Sequence, residues 1–220
     1  MTHRTTLLDV VPLTRDTRHY VITKPSGYTF TPGQATEVAI DRDGLRDETR
    51  PFTFTSDPDA DVLSFTIKSY FDHDGVTKEL HSLKAGDSLL IGDPWGAIAD
   101  NGPGVFLAGG AGITPFIGIL SARARSGTLS GSTLVFANAT ERDIILRPLW
   151  EGMDGLVTVF VVEEESSGLR TGRIDEALLD SVIDDWGQRF YLCGPPKMEE
   201  HVAEILEKRG VPSDRITREE

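Results

Sequence analysis

Up to about Gly96, apolar and polar residues alternate in short bursts rich in Thr, Val, Phe and Ile, and Gly and Pro cut them apart. "HYVITKP", "QATEVAI", "RPFTFTS", "VLSFTIKSY" and "DSLLIGDP" each read as a strand, and their regular spacing predicts a small antiparallel barrel. One burst keeps a different period. In "GVTKELHSL", Val76, Leu80 and Leu83 fall on one helical face. From Gly104 the rhythm becomes strand then helix. "GVFLAG" precedes "TPFIGILSARARSG", "STLVFAN" precedes "ERDIILRPLWEGM", and "VTVFVVEE" precedes "RIDEALLDSVID". Finally "RFYLCG" precedes "PPKMEEHVAEILEKRG", a helix with Pro at its start and Gly210 at its end. These strands are almost continuously apolar, as when helices cover both faces of a parallel sheet. The turn-rich "GDPWGAIADNGPG" is the natural boundary, giving domains 1–99 and 100–220.

Composition narrows the chemistry. With 220 residues, 39% hydrophobic and 26% charged, the chain can bury an ample core. A net charge of -13 argues against nucleic acid or an anionic membrane as a partner. No run has the length of a membrane span, and the start lacks the apolar core of a secretory signal, so membrane insertion is not expected and a cytoplasmic location is. The single cysteine, Cys193, excludes an internal disulfide framework, and with it an iron–sulfur or Cys-rich zinc site of the chain's own. "DHD" at Asp72–Asp74 near His81 lacks zinc-ligand spacing and reads as a hydrophilic loop, so no metal is expected. Neither G-x-S-x-G nor H-E-x-x-H occurs.

The stretch "VFLAGGAGITPFIGIL" puts a glycine cluster between a strand and a helix. Gly109, Gly110 and Gly112 permit a tight turn, and the N–H groups that open the helix favour a pyrophosphate. Thr114 is placed to cap the helix or donate to a phosphate, and Pro115 suits its first turn. The pattern departs from G-x-G-x-x-G, because Pro115 stands at the third glycine. Asn138 stands where an acidic ribose partner belongs. Taken alone, this leaves a nucleotide site and a plain strand-to-helix turn both open.

A second motif, "RPFTFTS" at Arg50–Ser56, resembles the flavin-binding signature of the ferredoxin–NADP⁺ reductase superfamily. Further motifs follow that family's order: "FTPGQ", "IK", "GVT", "GDPWG", "GGAGITP" and "CGPPKM". The resemblance spans essentially the whole chain. It implies a Greek-key FAD-binding barrel followed by an NAD(P)-binding α/β domain. It also implies an NAD(P)H-dependent flavoprotein that passes a hydride from NADPH or NADH to flavin N5. Electrons would then go to a separate carrier, such as a ferredoxin or flavodoxin.

On the resemblance, Arg50 pairs with the FAD pyrophosphate, with Pro51 beside it, and Phe52 lies against the flavin where the family often has Tyr. Thr53 hydrogen-bonds near N5. Backbone at Thr66, Ile67 and Lys68, with the Lys68 side chain, flanks the phosphates, and Tyr70 stacks on adenine. Gly75, Val76 and Thr77 offer N–H groups to the same pyrophosphate. Gly110, Gly112, Ile113 and Thr114, leading into Pro115, receive the NAD(P) pyrophosphate. Cys193, Gly194 and Pro195, followed by Met198, lie near the nicotinamide. Thr53 and Cys193 flank the hydride-transfer point, Cys193 as a packing and positioning group. Arg142 and Arg173 are candidates for a 2′-phosphate and tip the expectation toward NADPH, although Glu141 sits beside Arg142.

Two other classes remain: a non-catalytic flavin-binding docking or regulatory subunit, and a flavin-free nucleotide module. The family's plant-type members end in an aromatic over the flavin, whereas "DRITREE" has none. Glu219 and Glu220 are not assigned as acid–base groups.

Overall fold

The computed structural model describes residues 2–71, 75–96, 98–164, 166 and 168–218. Two sheets divide the chain. The first contains β1 (His3–Pro12), β2 (Thr17–Thr23), β3 (Gln34–Ile40), β4 (Arg50–Thr53), β5 (Val62–Lys68), β6 (Ser88–Ile91) and β7 (Trp95–Gly96), with helix α1 (Val76–His81) between β5 and β6. Its order is β4-β3-β6-β1-β2-β5, with β7 on β3, and every pairing is antiparallel. A bridge from Phe54 to Phe65 returns the last strand to the first, so the sheet closes into a Greek-key barrel. Phe54 and Phe65 are fully buried there, 5.2 Å apart, and Phe30 lies 4.4 Å from Phe54. Val76, Leu80 and Leu83 of the α1 segment are buried in the same core, as the helical spacing predicts.

The second sheet contains β8 (Gly104–Gly109), β9 (Ser132–Asn138), β10 (Leu156–Val162), β11 (Arg170–Thr171), β12 (Arg189–Cys193) and β13 (Ile216–Arg218). Its order is β11-β10-β9-β8-β12-β13, all parallel. The helices are α2 (Thr114–Ser126), α3 (Arg147–Glu151), α4 (Glu176–Val182) and α5 (Pro196–Lys208). One core joins α2 and α3 to one face of the sheet, and another joins α4 and α5 to the other. The strand β8 is buried along its whole length, which explains its unbroken apolar run.

Three stretches differ from the periodicity. Strand β1 was not expected, and its pairing shifts between Leu7 and Asp9, a bulge that breaks the alternation. The edge strands β7, β11 and β13, of two or three residues, leave no periodic trace. "ERDIILRPLWEGM" predicts one helix, but it forms a 3-10 turn at Glu141–Asp143 and then only the five-residue α3. Leu146 between them has φ 55, which interrupts any continuous helix.

The sheets meet along α2. Its Gly118 faces the Phe54 carbonyl and Pro32, and Ile119 reaches Gly33. The apolar first half of α2, buried from Pro115 to Leu120, is therefore enclosed by its own sheet on one side and the barrel on the other. The link between the sheets is tied down as well. Arg123, 7% exposed, donates to Asp100 Oδ1 at 3.0 and 2.6 Å and to the Thr128 carbonyl. The Tyr191 hydroxyl donates to the Gly102 carbonyl at 2.7 Å and accepts from the Asn101 N–H at 3.0 Å.

Candidate functional site

Successive connections build the sheet outward from β8 to β11, and the chain then returns to place β12 on the other side of β8. Open parallel sheets bind ligands at such a switch point, beyond the carboxyl ends of the strands. Those ends are Gly109 and Cys193. Above them lies a cavity of about 580 Å³ whose opposite wall is the barrel. From the barrel come Pro51, Phe52, Thr53, Thr66, Ile67, Lys68, Tyr70 and Thr77. From the parallel sheet come Gly110, Gly112, Thr114, Cys193, Gly194 and Pro195, with Gly109, Ala111 and Pro196. Residues more than a hundred positions apart thus face one cavity.

The glycines do different jobs. At Gly112 a Cβ would strike the Cys193 carbonyl, so this glycine lets two backbone turns touch. At Gly109 it would come within 2.5 Å of Met198 Sδ and 2.8 Å of Pro195 Cδ. Close helix–strand packing, the usual task of a third glycine, is therefore met by Gly109 and Gly112. Pro115 is simply buried in the first turn of α2. Gly110 alone has φ +52 and open space where a Cβ would sit. Thr114 is not the cap: its hydroxyl donates back to the Ala111 carbonyl at 3.0 Å.

A second cavity, of about 710 Å³, continues from Gly110 and Lys68 over the ends of β9 and β10. Asn138 and Met198 line it, together with Asp143, Glu163, Arg173, Asp175, Lys197 and His201. Both polar atoms of the Asn138 amide are buried without a protein partner, although the residue is only 6% exposed. A buried amide in that state fits a ligand's polar group. With the open cradle at Gly110, it shows that the residues suit a nucleotide.

Six expected residues line neither cavity: Arg50, Gly75, Val76, Ile113, Pro115 and Arg142. Val76 and Ile113 turn their side chains into the two cores and have only backbone to offer. Gly75 caps α1. Arg50 is exposed beside the first cavity and donates to the Thr49 carbonyl at 2.6 Å. Arg142 is exposed too, so the arginine at the second cavity is Arg173, held by Glu163 at 2.6 Å. Glu163, Lys197 and His201 were missed. The first directly follows β10, whose last residue Val162 pairs with Asn138, and the other two lie one turn apart on α5, which follows "CGP".

Burial shapes the surrounding electrostatics. It pushes the His19 imidazole below its ordinary range, and His19 Nδ1 lies 3.2 Å from Thr66 Oγ1. His81 is lowered by burial and by the Arg18 charge. Its Nε2 accepts from Arg18 at 3.0 Å, leaving Nδ1 to donate to Ser69 at 3.2 Å, so both nitrogens are engaged. Asp72, His73, Asp74, Glu219 and Glu220 lie outside the described residues. Among the described residues, no three His, Cys, Asp or Glu side chains gather as a metal site. No described helix is long and apolar enough to cross a membrane.

The family described as "Oxidoreductase NAD-binding domain" matches residues 106–204, the segment that carries the switch point. The whole chain superposes on the FAD/NAD binding domain of nitric oxide dioxygenase from Vibrio cholerae with a TM-score of 0.87 at 21% identity, covering 97% of this chain and 96% of that one. It also superposes on a ferredoxin NADP⁺ reductase from Neisseria gonorrhoeae solved with FAD and NADP, at TM-score 0.83 and 21% identity, covering 98% and 97%. Residues 106–204 therefore match an oxidoreductase NAD-binding family, and the chain as a whole has the two-domain fold of these structures. Among curated relatives, the reductase component of propane 2-monooxygenase from Rhodococcus jostii is 27% identical over 97% of this chain. NADH-cytochrome b5 reductase 1 of Aspergillus terreus is 29% identical over 87% of this chain and 71% of its own length. The chain spans 62% of the Rhodococcus protein and 63% of NADH-cytochrome b5 reductase 2 of Mycosarcoma maydis.

Proposed function

We propose that this chain is an NAD(P)H-dependent flavoprotein reductase that passes electrons to a separate carrier protein. One observation carries the reading: a single cavity joins the barrel strand bearing Phe52 and Thr53 to the switch point bearing Gly110 and Cys193. The barrel wall, with Lys68 and Tyr70, would hold FAD, and Arg50 at its edge is free to swing onto a phosphate because only backbone and a 3.8 Å contact to Glu48 hold it. Gly110 and the start of α2 would hold a nicotinamide nucleotide's pyrophosphate, and Asn138 and Glu163 its adenosine ribose. When bound, the flavin accepts a hydride and releases electrons one at a time, chemistry no side chain supplies. Thr53, only 7% exposed, lines the cavity from the barrel while Cys193 lines it from the opposite sheet, so the two partners would be aligned between them. The boundary near residues 99 and 100 belongs to this reading, since all described strands up to Gly96 lie in the barrel and those from Gly104 in the second sheet. The acceptor is a ferredoxin, a flavodoxin or another redox protein; relatives named as reductase components of oxygenase systems support this, and a cytoplasmic place fits it.

The nucleotide is NADH, against the NADPH expected from the arginines. Arg173 is neutralised by Glu163, and Asp143 and Asp175 share its wall. An acidic ribose site favours NAD. The test is anaerobic mixing of FAD-loaded protein with NADH or NADPH, followed through the flavin absorbance. Rapid bleaching, faster with NADH, is expected; no bleaching with either sinks the reading. Glu163→Gln, which releases Arg173, should lower the NADH:NADPH preference about tenfold, or ~1.4 kcal/mol. An unchanged ratio would remove Glu163 from the ribose site.

A further inference from the structure

Glu199 lines neither cavity, yet it holds the turn that closes the first one. It sits in the first turn of α5, and its Oε1 accepts the Gly194 N–H at 2.8 Å. The next two residues, Pro195 and Pro196, have no N–H, so Gly194 carries the last donor before the helix. At its far end the turn is tied to the helix, where the Pro195 carbonyl accepts the Met198 and Glu199 N–H groups at 2.8 and 3.1 Å; its near side is held by close packing. The Cys193 carbonyl lies against Gly112, and a Cβ on Gly194 would come within 2.7 Å of Met198 Cε and 3.1 Å of the Gly109 nitrogen. Packing limits how close the turn approaches, but only a directional bond sets the rotation of its peptide planes. For the Cys193–Gly194 peptide, Glu199 supplies such a bond at the Gly194 N–H, from a half-buried position.

Its carboxyl stands above the usual carboxylate range because burial outweighs the Gly194 N–H and the charge of Arg218. Arg218 lies on β13, in register with Leu192 beside the same turn. An acceptor kept at that desolvation cost has a task there.

We infer that Glu199 is a positioning residue, fixing the Cys193–Gly194–Pro195 turn so that its cavity face presents one surface to a nicotinamide ring. This rests on the function proposed above. The substitutions Glu199→Ala, which removes the acceptor, and Glu199→Gln, which keeps one, separate the bond from the charge.

The first readout needs no ligand: amide hydrogen exchange at Gly194 in the isolated protein. Alanine should speed it about tenfold or more while β8 and β12 keep their protection, and glutamine should restore it. The second uses FAD-loaded protein. With alanine the rate of flavin reduction at saturating NADH should fall about tenfold while the NADH dissociation constant changes less than about threefold, because misalignment acts on the transfer step. Glutamine should recover most of that rate. Unchanged Gly194 exchange in the alanine variant overturns the inference, as does a rate loss that glutamine does not rescue. If wild-type protein is reduced by neither nucleotide, the function itself fails, whereas a wild type that reacts alongside an equally fast alanine variant removes Glu199 alone.

Discussion

Valine at position 110 should yield a folded protein that no longer binds a nicotinamide nucleotide. Gly110 lines both cavities, and a side chain there would meet no protein atom within 4 Å. The branched carbons therefore enter the space left for a pyrophosphate, above the N–H groups that would receive it. The fold bears only the strain of φ +52, about 1–2 kcal/mol for a residue with a Cβ. That lowers the melting temperature by several degrees. Binding should weaken by at least about a hundredfold, or ~2.7 kcal/mol, in a calorimetric titration with NAD⁺. Alanine should fall between valine and glycine. A valine variant that binds like wild type would place the pyrophosphate elsewhere. Position 112 should fail in the opposite way. Its alanine would collide with the Cys193 backbone, so stability falls before affinity can be compared.

The largest stability loss is expected far from any ligand, at Gly33→Ala. Here φ is +92, and the added Cβ would lie inside the Ile98 carbonyl oxygen and 3.1 Å from Ile119 Cδ1. Backbone on one side and a fully buried side chain on the other leave nothing flexible to give. The strained dihedral and the forced separation of barrel, link and α2 add to about 3–5 kcal/mol. That is a large share of the roughly 5–15 kcal/mol that holds a folded domain. Urea denaturation followed by tryptophan fluorescence measures it, and a loss under about 1 kcal/mol would show that the interface yields.

These two glycines mark what could and could not be read from the residues. Gly110 was legible, because a glycine cluster between an apolar strand and helix has a local cause. Gly33 stood in a family-like "FTPGQ" without a physical reason until Ile98, over sixty residues away, was seen to touch it. The same division holds elsewhere. Strands β2 to β6 and the helices α2 and α5 follow their periodicity, whereas β1 hides behind a bulge and α3 is cut short by Leu146. The adenosine end was the least legible. Arg142 and Arg173 look alike in sequence, and only the path of the chain just beyond β11 decides which one meets the cavity. In sequence Asn138 stands only where an acid is absent, and its orphaned amide emerges once β9 and α5 line one cavity.

The tied-down link has a consequence for motion. Asp100, Asn101 and Gly102 spend their hydrogen bonds on Arg123 and Tyr191, and Tyr191 stacks on Phe106 at 4.3 Å. A hinge needs residues whose dihedrals are free to change, and these are not. With Gly118 and Ile119 pressed against the barrel as well, the two halves should travel as one rigid body. Nucleotide would then enter and leave through the open mouth of the cleft rather than by domain closure. Small-angle scattering should give the same radius of gyration with and without NAD⁺, and a measurable contraction would reveal a hinge outside the link.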